Sequence, residues 1–228
     1  MNTTEKLDRL TFVEEILLLM LDVNGRLPAA RTDTVKYIVT AAALMELAFN
    51  NKIDTDPNRL FVVDRTPVGD ETLDEVLQRV GEDQNKPMNT KAWIDALAWT
   101  HGEKIRDRGM GSLVSRGILT RRDEKFLRMF SSHRYATVDG RAEQEARLRI
   151  TNVLLADDIP DPRDIALICL ADACSLLVDL FSDEGFERVQ SRIEQLRKMD
   201  LIGREVAGAI DEIERVMTTA SAAHWHWY

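Results

Sequence analysis

Residues 10–22 read LTFVEEILLLMLD, the most apolar stretch of the chain. As a helix, Phe12 to Leu21 covers about 15 Å, half of a bilayer core about 30 Å thick. Glu14 and Glu15 lie inside it, and no basic segment with a cleavage site surrounds it. It therefore reads as neither a membrane span nor a secretory signal. Thr11 followed three residues later by Glu14 forms a capping box, which starts a helix at Thr11. Val13, Ile16, Leu17, Met20 and Leu21 make one stripe, and Leu18 and Leu19 extend it almost all round. Such a helix belongs at the centre of a folded core.

The 228 residues are 44% hydrophobic, enough for one substantial core, and no Gly/Ser/Pro-rich linker divides them. The expectation is a single domain over residues 1–228. Cys169 and Cys174 lie in an apolar helical stretch at a spacing that suits neither a disulfide within a helix nor zinc, so they read as small buried hydrophobes. A helix is expected from Asp33, as N-cap, to Asn50. Two short strands follow around a turn at Asp56–Asn58. Further helices are expected over 69–80, 89–98, 103–117, 140–156, 161–181, 185–199 and 203–220. Gly109 and Gly111 either weaken the 103–117 helix or admit something close to its backbone. Residues 118–140 read as a protruding hairpin with its turn at Ser131–Arg134. The fold class is mainly α, with short β-hairpins.

Net charge is −9, which disfavours indiscriminate binding to nucleic acid or anionic lipid. The average hides a local reversal. Lys104, Arg106, Arg108, Arg116, Arg121, Arg122, Lys125, Arg128 and Arg134 face only Asp107, Asp123 and Glu124 within the same segment. Either a solvated arginine face pairs with the acidic remainder, or the segment binds an anionic partner. The helix–helix–hairpin order near the N-terminus resembles a winged helix. Lys36 is the only cation of its second helix, however, so no nucleic-acid partner is expected.

No phosphate loop, dinucleotide fingerprint, HExxH or GxSxG is present. His101, His133, His224 and His226 have no partners at metal-ligand spacing. No enzyme activity, cofactor or metal is expected. The closing HWHWY (224–228) suits packing onto the domain or a second copy better than chelation or interfacial anchoring.

RLTFVEEILLLMLDVNGRL and ALMELAFNNKI (43–53) resemble the start of the Golgi phosphoprotein-3 (GPP34) family. VVDRTPVGDETLDEVL (62–77), WIDALA (93–98), LVSRGILT (113–120) and DIALICLADACSLL (164–177) continue the resemblance in order, from about Arg9 to about Val216, leaving 217–228 as a tail. The resemblance implies a mostly helical domain with a projecting β-hairpin. It also implies a cytoplasmic, peripheral membrane protein that recognises phosphatidylinositol 4-phosphate. In eukaryotic members this serves Golgi attachment and retention of glycosyltransferases through their cytoplasmic tails. The hairpin, at 126–139 here, supports self-association, which implicates Phe130, His133, Arg134 and Tyr135.

The family's head-group site uses a tryptophan and an arginine around the second helix and two arginines on the helix before LVSRGILT. The tryptophan position falls on Arg31 and the early arginine on Thr40. The later pair falls on Glu103 and Arg106, so one of four is kept. Arg31 offers a phosphate contact of its own kind, because an arginine fork fits phosphate oxygens. Eight lysines against 22 arginines point to a GC-rich, prokaryotic gene, for which Golgi attachment has no literal meaning. The expected lipid contacts are Arg106, Arg31, Arg108, Arg121 and Arg122. The rival reading is a non-catalytic interaction module whose basic face binds acidic protein partners and no lipid.

Overall fold

The computed structural model describes residues 9–27, 32–56, 58–82, 88–124, 132–156, 159–173 and 176–198. Helix α1 (Phe12–Met20) starts where the capping box places it. Thr11 Oγ1 accepts from the Glu14 N–H at 3.2 Å, and Glu14 Oε2 accepts from the Thr11 N–H at 2.7 Å. Every residue of α1 is buried, including both glutamates. Helix α2 (Thr32–Phe49) starts one residue before Asp33, the expected N-cap, which therefore lies inside the helix. Strands β1 (Ile53–Asp56) and β2 (Arg59–Val62) form the first hairpin, in register Ile53↔Val62 to Asp56↔Arg59.

Helices α3 (Glu71–Glu82), α4 (Thr90–Thr100) and α5 (Gly102–Ser115) follow. Asn89 caps α4, its side chain accepting from the Ala92 N–H at 3.0 Å. Strands β3 (Leu119–Glu124) and β4 (Ser132–Thr137) make the second hairpin, and α6 (Arg141–Leu155), α7 (Pro162–Ala173) and α8 (Leu176–Lys198) complete the described chain. The architecture is mainly helical with two separate two-stranded antiparallel pairs. Among the described residues no helix is long and apolar enough to cross a membrane.

Helices α1, α2 and α7 sit deepest in one hydrophobic cluster, with Phe12, Ile16, Leu17, Ile38, Leu44 and Leu167 at most 2% exposed. Gly109 is what lets α5 cross α1 closely. A Cβ there would stand 2.7 Å from Leu17 Cδ1 and 2.8 Å from Val13 Cγ1, whereas at Gly111 it would meet nothing. The close-approach reading thus holds for the first glycine of the pair alone.

Two elements differ from the sequence reading. The helix expected over 161–181 is described as α7 and the start of α8, on either side of residues 174–175, and α8 runs on through the stretch expected to separate it from 185–199. Gly185 costs a helix only about 1 kcal/mol, which buried Leu177, Val189 and Ile193 outweigh. In the second hairpin, Ser132, His133 and Arg134 belong to β4 and pair with Glu124, Asp123 and Arg122. They are not the turn. Strand β4 is held on both sides, by β3 and by the connection after α1, and this dual support keeps its start extended.

Cys169 is buried and unbridged. Cys174, the helix expected over 203–220 and the HWHWY tail lie outside the described residues, as do Lys125 and Arg128.

Candidate functional site

Burying Glu14, Glu15 and Glu46 requires cations, and three arginines supply them, with Ser112 and the Phe12 N–H adding hydrogen bonds. Glu14 accepts from Ser112 Oγ at 2.7 Å and pairs with Arg116 at 3.0 Å. Glu15 pairs with Arg149 at 2.6 Å, and Arg149 reaches on to Asp164. Burial nevertheless holds the Glu15 carboxyl above its ordinary pKa, against the pull of Arg149 and Arg163. Glu46 takes both terminal nitrogens of Arg163 and the N–H of Phe12. Arg163 also donates to the Leu10 carbonyl at 2.9 Å. These arginines tie α1 to α2, α5, α6 and α7, and commit the exposed Arg116 to Glu14.

Helix α3 takes two more cations out of the basic segment. Lys104 reaches Glu75 at 2.6 Å, and Arg108 spans Glu75 at 2.8 Å and Glu71. Lys104 in turn pulls the Glu75 carboxyl below the usual range. The open groove beside α3, about 910 Å³, is lined by Glu71, Asp74, Glu75 and Glu82 against Arg65. Four carboxylates against one cation make it unsuited to a phosphate. Arg108, expected as a lipid contact, therefore faces this acidic wall. Its neighbour Arg106, two positions on and so about 200° around the helix, is half-buried and donates to Asp107 at 2.8 Å.

The head-group positions carried over from the resemblance divide in the same way. Thr40 is fully buried and its hydroxyl has no hydrogen-bond partner among the described residues. No cation could stand there at the surface. Glu103 pairs with Lys36 at 3.4 Å, and the Lys36 ammonium lies 5.5 Å from the centroid of exposed Trp99. Lys36 thus sits one helical turn before Thr40 as the cation of α2. Sequence reasoning counted it against DNA binding and missed this place; its i, i+4 relation to Thr40 was the available signal. Arg31 and Phe130 lie outside the described residues.

The hairpin gathers the rest. Arg121 stands opposite Tyr135, and Arg122 opposite Arg134. Leu119, Arg121 and Tyr135 share the face that meets the core at buried Leu119, while Arg122 and Arg134 occupy the other. Arg121 and Arg122 are exposed. His133 pairs in register with Asp123. About 15 Å of helix separates Arg106 from the end of α5 that leads into this hairpin, beyond the 8 Å or so over which physiological salt screens. The basic segment is therefore two patches, with Lys104 and Arg108 taken up by Glu71 and Glu75 of α3.

Strand β4 has a second neighbour that sequence reasoning overlooked. The Tyr135 N–H donates to the Gly25 carbonyl at 2.8 Å. Gly25 has φ +71, and a Cβ on it would stand 1.9 Å from the Tyr135 carbonyl oxygen. Only glycine permits this approach. The turn itself is closed by the Asp22 carboxylate, which accepts from the N–H groups of Asn24 and Arg26, both at 2.8 Å. The Asn24-Gly25 dipeptide was the legible signal.

Comparison with known proteins gives a consistent result. The model of the family described as Golgi phosphoprotein 3 (GPP34) matches residues 12–213. Vacuolar protein sorting-associated protein 74 of Schizosaccharomyces pombe is 28% identical over 230 residues, covering 84% of this chain and 67% of that protein.

Proposed function

The chain belongs to the Golgi phosphoprotein 3 (GPP34) family, and on that premise we propose that it is a peripheral protein docking on anionic phospholipid. The observation that carries the reading is the β3–β4 hairpin, which sets Arg122 against Arg134 beside Arg121. Guanidinium groups on such a strand pair offer charge-assisted hydrogen bonds to phosphate oxygens. Each cation near an anionic membrane contributes about 1 kcal/mol. Three suffice for reversible attachment while the acidic remainder is screened by salt. The resemblance makes phosphatidylinositol 4-phosphate the head group and assigns Arg106 and Arg31 to it. The α2 cation is Lys36, not a residue at position 40. The resemblance likewise implies recruitment of cytoplasmic tails of membrane enzymes to the attached protein, and hairpin-mediated pairing of copies.

Co-sedimentation tests this. Vesicles of phosphatidylcholine alone, with phosphatidylserine, and with phosphatidylinositol 4-phosphate are spun with protein across a salt series. Binding is expected only with anionic lipid, to weaken as salt rises, and to be lost in R121E/R122E. Equal binding by that variant, or none by the native chain, overturns the proposal and favours the interaction-module reading.

A further inference from the structure

Resting on that reading, we infer that the turn between α1 and α2 is an apolar membrane wedge, with Val23 at its tip inserting beside the basic hairpin. Val23 is fully exposed, at 102% of its reference area. A single exposed valine is ordinary by itself. Three features set this one apart.

Its backbone is fixed. Asp22 N–H donates to the Arg26 carbonyl at 3.0 Å, and Gly25 N–H to the Asp22 carbonyl at 2.8 Å. The Asp22 side chain secures the same five residues from inside, accepting the N–H groups of Asn24 and Arg26. A side chain presented by a closed turn loses little conformational entropy on insertion.

Its place is also fixed. Gly25, two residues on, is joined to Tyr135 of β4, and Tyr135 stands opposite Arg121, beside the Arg122–Arg134 pair. Arg26 leaves the same turn. A hydrophobic tip tied to a strand pair that carries exposed Arg121 and Arg122 matches a bilayer surface, where phosphates overlie acyl chains.

Its composition suits the interface. The Asp22 carboxylate, the one acid in the turn, stays ionised but is engaged by the backbone N–H groups of Asn24 and Arg26. No buried contact depends on Val23, so its substitution leaves the fold intact.

The experiment uses the full chain and vesicles of phosphatidylcholine with phosphatidylserine and phosphatidylinositol 4-phosphate. Val23→Asn changes no charge and should lower partitioning about threefold. Val23→Trp should raise it about tenfold, because tryptophan favours the interface. That gain should persist at high salt, where the hairpin's electrostatic share fades. Ile159→Asn, an exposed position on the α6–α7 connection, should match the native chain, and thermal melting should be unchanged for all three. If the native chain binds and R121E/R122E does not, but both Val23 variants behave as native, the wedge is wrong and lipid docking stands. An equal effect at Ile159 also rejects the wedge. If the native chain binds none of these vesicles, both fail.

Discussion

Arg163 and Glu46 meet through two hydrogen bonds, 2.8 and 3.0 Å long, inside the hydrophobic core. The arginine also covers the Phe12 ring, its guanidinium carbon 3.9 Å from the centroid. Removing one partner of a buried pair leaves the other charged and stranded, at a cost of about 3–5 kcal/mol. Arg163→Ala should therefore lower the urea midpoint far more than truncation of exposed Arg141. Glu46→Gln/Arg163→Met should recover much of the loss, since no bare charge remains. A midpoint for R163A equal to the native one would show that the pair does not hold α7 to α1 and α2.

The Lys52 ammonium holds the Asp64 carboxyl down to about 2, with help from the N–H and hydroxyl of Thr66. A depressed carboxyl contributes stability above its unfolded value of 3.8, and that contribution disappears as pH falls toward 2. Lys52→Met should be less stable than the native chain at neutral pH. The difference should shrink on acidification through this window. A difference that stays constant with pH would remove Lys52 as the cause.

Gly25→Ala forces a left-handed residue with a side chain against the Tyr135 carbonyl. The conformation alone costs about 1–3 kcal/mol, and the clash breaks the Gly25–Tyr135 hydrogen bond. Hydrogen exchange at the Tyr135 amide should accelerate strongly, while amides of buried α2, such as Leu44, keep their protection. Unchanged protection at Tyr135 would mean that the turn and β4 are not coupled.

Glu103 faces Lys36 at 3.4 Å and occupies a position where the family resemblance places an arginine. Glu103→Gln removes the negative charge and releases Lys36 for head groups. At about 1 kcal/mol per charge near an anionic surface, binding to phosphatidylinositol 4-phosphate vesicles should tighten about fivefold. Weaker binding would show that Glu103 serves the site by orienting Lys36.

The elements were legible wherever one local pattern decided them. Thr11 and Glu14 announced the start of α1, and Asp56–Asn58 the first hairpin, because caps and turns are settled within four residues. The continuity of α8 through Gly185 was not legible, since a glycine in a helical pattern reads as a stop. Nor was the fate of the basic segment. Charge counting along the chain cannot tell that Lys104 and Arg108 end on Glu75, 29 and 33 residues away, or that Arg116 ends on Glu14. The Gly25–Tyr135 contact joins the α1–α2 turn to strand β4, far apart in sequence, and only the three-dimensional structure brings them together.

The buried carboxylates of α1 and α2 also set an order of events during synthesis. Arg149 follows Glu15 by 134 residues, and Arg163 follows Glu46 by 117. A ribosome thus extrudes the most hydrophobic part of the chain long before the cations that neutralise its acids exist. Until then the nascent N-terminal half has greasy surfaces and uncompensated negative charge, a state that chaperones recognise and that resists premature collapse. Full pairing of these buried acids waits on the arrival of α6 and α7, which carry Arg149 and Arg163.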